Sequence, residues 1–456
     1  MVLPLGLMNI ALDWLGTIAI TQPSRPSAIR KEGIMSNPIS RRSFIKTNAL
    51  VSAAAAAPRM TRGAVGSNER IHVGIIGCGG RNTFHVRSWL LEAGQQHNAT
   101  VIACCDIWRQ KRSAMAELIK TTYGTEPQQY GDYRRLLENR DIDAVVIATP
   151  DHQHCTQIID AVRAGKDVYV EKPIAMDLDE LNRAADAVKE TRAVVQHGTQ
   201  GRSREGAKTA RDFLLAGKLG KILRIEESRS FYNPYWNGYG GPEKEEDTDW
   251  KAFLMHRAAR PFDADQHGAW MGYRDFSTGT CGGWMSHFSD LIHYVTGCGF
   301  PKYGWGQGGI YSPTSKAGRT CPDTFTGILE YGEGFTTSYT THFGNGANDY
   351  IMIFGTKGVM HTGAPDGWPN GIEPRVSGEG SEHPEKIEDG IEIELENNLI
   401  EGHMENWMRC IRTRELPAAN MDEGYKHGVA VLLCDMAMVA GRRMMFDPGK
   451  REIRPA

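Results

Sequence analysis

Between residues 70 and 200 short apolar runs alternate with segments of helical spacing, and the first run ends in a cluster of glycines. No other feature of the chain restricts its fold as much. "IHVGIIGCG" (71–79) is apolar without alternation and reads as a strand covered on both faces. "TFHVRSWLLEAG" (83–94) has helical spacing and is expected to stop at Gly94. "ATVIACCD", "IDAVVIATP", "DVYVEKP" and "AVVQHGTQ" repeat the strand pattern. "RQKRSAMAELIKTTYG", "CTQIIDAVRAG" and "LDELNRAADAVKETR" repeat the helical one, the first closing at Gly124. Continuous apolar strands separated by helices predict a parallel sheet with helices on both faces.

After about residue 205 the rhythm changes. "GKILRIEESRSFY", "DTFTGILEY", "GFTTSYTTHF", "DYIMIFGT" and "IEIELE" read as strands, several with period-two alternation. Helices are few, chiefly around 284–296 and in a final pair, "LIEGHMENWMRCIRT" and "EGYKHGVAVLLCDMAMVAGRRM". A second domain with a mostly antiparallel sheet follows, and the last helices are expected to pack back on the body. The Gly/Pro-rich acidic stretch 363–390 reads as a surface loop. At 456 residues the chain suits such a pair. We divide it into a leader (1–67), a dinucleotide-binding α/β domain (68–204) and an α+β substrate and assembly domain (205–456).

The leader contains "SRRSFIK" (40–46), then the small-residue stretch "TNALVSAAAAAP" (47–58) with a cleavage signal near Ala57. This resembles a twin-arginine export signal, an address rather than an anchor, and predicts a periplasmic protein. Met35 then stands as the start, and residues 1–34 as an extension. No segment has the length and apolarity to span a bilayer. The net charge of −3 argues against nucleic acid or an anionic membrane as partner. The nine cysteines stand at spacings that fit no zinc pattern, and most read as buried free thiols.

"GIIGCGGRN" places Gly77 and Gly79 at the first two glycines of a dinucleotide fingerprint. Gly77 allows the tight turn, and Gly79 lets backbone approach a pyrophosphate at the start of a helix. Gly80, Arg81 and Asn82 complete this turn, Asn82 replacing the third glycine. Asp106 ends the second strand, where a carboxylate accepts from ribose hydroxyls and repels a 2′-phosphate. NAD is therefore expected over NADP. Arg109 is read either as meeting a phosphate or as stacking on adenine. Thr149 and Pro150 close the third strand at its carboxyl edge, where ligands of such sheets bind. His152 and His154 follow and are assigned to capping or cofactor contact. No third ligand is near them, so no metal is expected.

"VYVEKPIA" (168–175) sets a carboxylate and an ammonium where a buried strand stops. Pro173 keeps Lys172 out of the helical region. A partly desolvated lysine there has a lowered pKa and can move a proton to or from a substrate hydroxyl. Glu171 can hold it. Position alone leaves a plain surface ion pair open.

"GIIGCGGRN", "ATPDHQH", "VYVEKPIA" and "QHGTQGRS" stand in the order and spacing of the Gfo/Idh/MocA oxidoreductases, which the chain resembles over about residues 68–456. The resemblance implies a Rossmann domain joined to an open-faced sheet, a homo-oligomer through that sheet, and NAD- or NADP-dependent chemistry on sugars and cyclitols. It implies that Lys172 is catalytic and positions the nicotinamide. It also implies that Gln200 borders the cofactor and Arg202 the substrate. The family often has an Asp and a His four residues apart on a helix; "CGGWMSHFSDLIHYV" instead has His287 and Leu291 at those places. His287 and Asp290 share a helix face at i, i+3. We read His287 as a second acid/base and substrate contact, Asp290 as the partner that favours its charged form, and His293 as a weaker substrate contact. An exported dehydrogenase meets little free NAD and must hold its cofactor tightly. The expected activity is sugar or cyclitol oxidation on tightly bound NAD. The alternative is a redox-neutral NAD-dependent glycosidase or lyase working through a transient keto-sugar.

Overall fold

The computed structural model describes residues 66, 69–238, 243–347, 349–362, 374–393 and 400–456. The export segment and the extension before it lie outside the described residues.

The first sheet is built from β1 (Ile71–Ile76), β2 (Ala99–Cys105), β3 (Gln128–Tyr130), β4 (Ala144–Ile147), β5 (Asp167–Val170) and β6 (Val195–His197). All pairs are parallel and the order is β3-β2-β1-β4-β5-β6. The direction of winding reverses between β1 and β4, which opens a crevice at their carboxyl ends. β3 escapes the sequence reading because three residues with exposed Gln128 and Gln129 carry no apolar signal. The helix expected over 83–94 is broken at Ser88 into Gly80–Arg87 and Trp89–Gln96, and it runs past Gly94. A Cβ on Gly94 would stand 3.0 Å from the Ala99 carbonyl oxygen, so this glycine serves close packing on β2 and not a helix stop. Gly124 does end its helix, at φ +68.

The second sheet has ten strands: β7 (Ile222–Phe231), β8 (Pro301–Gly309), β9 (Thr324–Tyr331), β10 (Phe335–Phe343), β11 (Tyr350–Gly355), β12 (Gly358–His361), β13 (Arg375–Ser377), β14 (Ile391–Glu392), β15 (Met444–Asp447) and β16 (Glu452–Pro455). Their order is β14-β13-β12-β11-β7-β10-β9-β8-β15-β16, antiparallel except where β7 meets β10. β13 lies within the stretch read as a loop. β8, "PKYGWGQGG", is also missed, because glycine is poor in strands. Its glycines have a packing reason: a Cβ on Gly304 would meet Leu433 at 2.7 Å, and one on Gly308 would meet Met438 Sδ at 3.1 Å. Alternate glycines thus let the helix Met421–Ala440 lie close on the sheet.

The two sheets share a core. Ile147, Ile174 and Leu181 of the first part bury against Met285, Phe325 and Val429 of the second. The helix His403–Thr413 inserts Trp407 beside Tyr169 of β5, with ring centroids 5.7 Å apart. All nine cysteines are buried and unpaired. No described helix is long and apolar enough to cross a membrane.

Candidate active site

A cavity of about 720 Å³ lies at the carboxyl ends of β1, β2 and β4. Gly77, Gly79, Gly80, Asp106, Thr149 and Pro150 line it from the first sheet, and Lys172 from the loop after β5. Arg229 of β7, Trp284 and His287 close it from the second half.

The glycine turn is shaped by its surroundings. Gly77 has φ +85, and a Cβ there would stand 2.6 Å from the Ala148 carbonyl oxygen. A Cβ on Gly79 or Gly80 would meet nothing within 4 Å, so both leave open space at the start of the helix Gly80–Arg87. That start has no side-chain cap. Asp106 accepts from Cys78 N at 2.6 Å and from Trp108 N at 2.8 Å. Burial raises its pKa, and these two hydrogen bonds offset part of the rise. Asn82 donates to the carbonyls of Ile76 (3.1 Å) and Gly77 (2.7 Å). Asn82 therefore braces the turn from behind and does not line the cavity.

Glu171 is buried and receives His85 Nε2 at 2.9 Å, Arg81 Nε at 3.2 Å and Gln200 Nε2 at 3.2 Å. Burial pushes its carboxyl up, but Arg81, His85 and Lys172 outweigh this and hold it below its usual range. Gly198 leaves room for it, since a Cβ there would stand 2.8 Å from the carboxyl carbon. Lys172 Nζ donates to Gly283 O at 2.6 Å, across to the turn Cys281–Met285. Gly282 allows this approach: a Cβ there would stand 3.0 Å from Pro173 Cγ. Burial, with Arg81 adding to it, brings the Lys172 ammonium down to about 8 against the pull of Glu171 and Asp151. Asp151 accepts from Ser277 Oγ at 2.7 Å and is pushed up by burial to about 7.

The helix Ser286–Thr296 corrects the reading of the second acid/base. His287 lines the cavity, but Asp290 accepts Arg202 Nε at 2.9 Å and Arg202 Nη2 at 2.6 Å. Residues at i, i+3 lie roughly 60° apart around a helix, enough to turn Asp290 from the cavity to Arg202. Burial, then Lys172, Arg229 and Arg81, hold the His287 pKa well below its ordinary value, so the ring is neutral and not charged. Arg202 also bonds Ala418 O at 2.7 Å and is buried; it does not reach the cavity. His293 is buried with Nε2 3.2 Å from the Tyr331 hydroxyl and does not line the cavity.

Three further expected cofactor contacts are structural. His152 Nε2 donates to Phe253 O at 2.8 Å. The ring of His154 joins Thr149 O (3.0 Å) to Pro173 O (2.7 Å). Gln200 ties Glu171 to the Tyr169 hydroxyl. Arg109 is largely exposed and paired with Asp247. The sequence reading missed Arg229, Trp284 and Tyr235. The Arg229 guanidinium lies 4.6 Å from the Trp284 ring centre, and Tyr235 stacks on Trp284 at 5.5 Å. Only Trp284 carried a signal, standing next to the glycine pair. His197 and His427 were also missed. With Asp290 they bring three buried donor atoms within 4.8 Å of one another. The Arg202 guanidinium on Asp290 already neutralises that carboxylate, which opposes a dication there.

Residues 71–199 match the oxidoreductase family with an NAD-binding Rossmann fold, GFO_IDH_MocA. A scyllo-inositol 2-dehydrogenase (NAD(+)) of Bacillus subtilis is 33% identical over 152 residues, which cover 33% of this chain and 40% of that protein. A glycosyl hydrolase family 109 protein of Saccharopolyspora erythraea is 30% identical over 179 residues, covering 34% and 38%. The chain thus spans about two fifths of the length of the curated relatives it matches. Solved structures share the fold over more of the chain. The WlbA dehydrogenase from Bordetella pertussis, in complex with NADH and UDP-GlcNAcA, has a TM-score of 0.61 at 19% identity, covering 83% of this chain and 99% of that one. Levoglucosan dehydrogenase, in complex with NADH and levoglucosan, has a TM-score of 0.60 at 17% identity, covering 82% and 99%. Residues 71–199 thus match the NAD-binding Rossmann domain of the Gfo/Idh/MocA oxidoreductases, and the parallel sheet joined to a mostly antiparallel one shares the fold of these solved structures.

Proposed function

We propose that the protein is an NAD-dependent oxidoreductase acting on a secondary alcohol of a carbohydrate or cyclitol. One observation carries this reading: a single cavity joins the Gly77–Gly80 turn and Asp106 at one end to Lys172 and His287 at the other. The first end fits a dinucleotide. Gly79 and Gly80 leave the space a Cβ would fill, the uncapped helix start offers N–H groups to a pyrophosphate, and Asp106 suits ribose hydroxyls. NAD, when bound, supplies the hydride acceptor. At the other end Lys172 Nζ takes the hydroxyl proton. With a pKa near 8 it keeps roughly a tenth of its population neutral at pH 7. Neutral His287 offers a second acceptor. Trp284 and Tyr235 give an aromatic wall for the apolar face of a sugar ring.

Twin-arginine export to the periplasm belongs to the same proposal, as does assembly through the second sheet. Support for assembly is the exposed cross-strand pair Trp305 and Ile328. A second reading, redox-neutral glycosidic cleavage, draws support from the family 109 relative. The test is product analysis on a panel of sugars, glycosides and cyclitols, with nicotinamide absorbance followed in parallel. Keto-sugar with NADH supports the first reading; free sugar without net NADH supports the second. A protein that binds no NAD and converts nothing overturns both.

A further inference from the structure

The segment Glu243–Phe276 stands in the chain between β7 and the helix Ser286–Thr296 and lines the cavity with Glu243, Asp249, Phe253 and Trp270. It is not free loop. Along one side it pairs with the end of β2: Asp249 N donates to Ile107 O at 3.0 Å, Thr248 forms a β-bridge with Trp108, and Gln110 Nε2 donates to Asp247 at 3.1 Å. Farther on it meets the loop after β4. The Phe253 carbonyl accepts His152 Nε2 at 2.8 Å and Gln153 Nε2 at 2.9 Å, and His152 N donates to Phe276 O at 3.3 Å. Its own core of Trp250, Phe253, Leu254 and Phe276 keeps it in shape. Between these attachments Asp249, Phe253 and Trp270 form part of the cavity wall, facing the glycine turn and Asp106.

We infer that Glu243–Phe276 is a clasp that belongs to the cofactor site and makes NAD a resident group rather than one exchanged at each turnover. The inference rests on the NAD reading above. It draws on different residues: the attachments lie on both sides of the crevice, so a dinucleotide between them leaves only after several hydrogen bonds break together. His152 thereby gains a role, holding the clasp instead of touching cofactor, and Gln153 holds the clasp while also lining the cavity. Clasp and turn bind opposite sides of one ligand, so loss of an attachment acts on dissociation more than on association.

The test is the dissociation rate of NADH, read by displacement, in full-length protein. Asp249→Pro removes the N–H that reaches Ile107, at a residue whose φ of −75 suits proline. Asp249→Ala is its control, sharing the loss of the cavity-lining side chain and its cap to Ala252 N but keeping the N–H. Asp249→Pro should release NADH roughly tenfold faster than Asp249→Ala. Wild-type protein should carry nicotinamide nucleotide through desalting, and on NAD loading the amides of 245–255 should exchange hydrogen more slowly. The hydrogen-exchange arm needs no variant and stands if Asp249→Pro misfolds. Equal release from the two variants, or unchanged exchange in 245–255, overturns the clasp while NAD binding stands. Absence of any NAD binding removes the clasp together with the reading it rests on.

Discussion

The two walls of the cavity hold their charges differently. On the first-sheet wall, Glu171 and Lys172 are consecutive, and each is fixed by its own partners: Arg81, His85 and Gln200 for the carboxylate, Gly283 O for the ammonium. On the helix wall, His287 and Asp290 share a turn yet serve two networks, one at the cavity and one in an ion pair with Arg202. A motif of adjacent residues on a strand end carries its geometry with it. A spacing of i, i+3 on a buried helix does not, because both side chains are enclosed and each answers to whatever lies over it.

The largest expected effect breaks the first wall. Lys172→Met keeps the apolar stem and removes the proton acceptor. Turnover should fall by about 10² to 10⁴ with bound NAD and melting temperature retained. Full activity in this variant would sink the role of Lys172. The second wall should break differently. Arg202→Met leaves the Asp290 carboxylate buried without its guanidinium, at a cost of about 3–5 kcal/mol in stability. The readout is melting temperature, with activity of the folded fraction little changed. If Asp290→Asn instead lost activity as His287→Ala does, with normal melting, the pairing we corrected would have to be restored.

This contrast also explains what was legible. The alternation of strand and helix, the glycine turn and the lysine were readable because each is set by residues close in sequence. Gly94 and β8 were misread because their glycines answer to partners far along the chain, Ala99 across a turn and the helix Met421–Ala440. The clasp left no periodic signal at all: most of its attachments are backbone groups, those of Thr248, Asp249, Phe253 and Phe276, which sequence does not display.

Two intermediate effects sharpen the comparison at the cofactor end. Asp106→Ser should weaken NAD by about ten- to a hundredfold, roughly 1.5–3 kcal/mol, and relatively favour NADP. Unchanged preference in paired NAD and NADP titrations would mean that Asp106 only braces Cys78 and Trp108. The pH dependence follows from Lys172. Alcohol oxidation needs its neutral form, so the rate should rise about tenfold per pH unit below about 8 and level above it. Ketone reduction needs the ammonium and should fall above the same pH. His287 is already neutral there and adds no limb near its ordinary pKa. A profile flat from pH 6 to 9 in both directions would remove the proton from Lys172.

The smallest effect separates cofactor contact from clasp contact. The sequence offers Arg109 two roles, on a phosphate or on adenine. In the fold its side chain is 65% exposed and paired with Asp247, which also takes Gln110. With its guanidinium end in water the pair gains little, because solvent screens it and a long flexible side chain must be held. Arg109→Ala should therefore leave the NAD-to-NADP ratio unchanged and speed NADH release by about twofold. Both quantities come from one displacement series run with NADH and NADPH. A tenfold loss confined to NADPH would place the guanidinium on a 2′-phosphate and return Arg109 from the clasp to the cofactor.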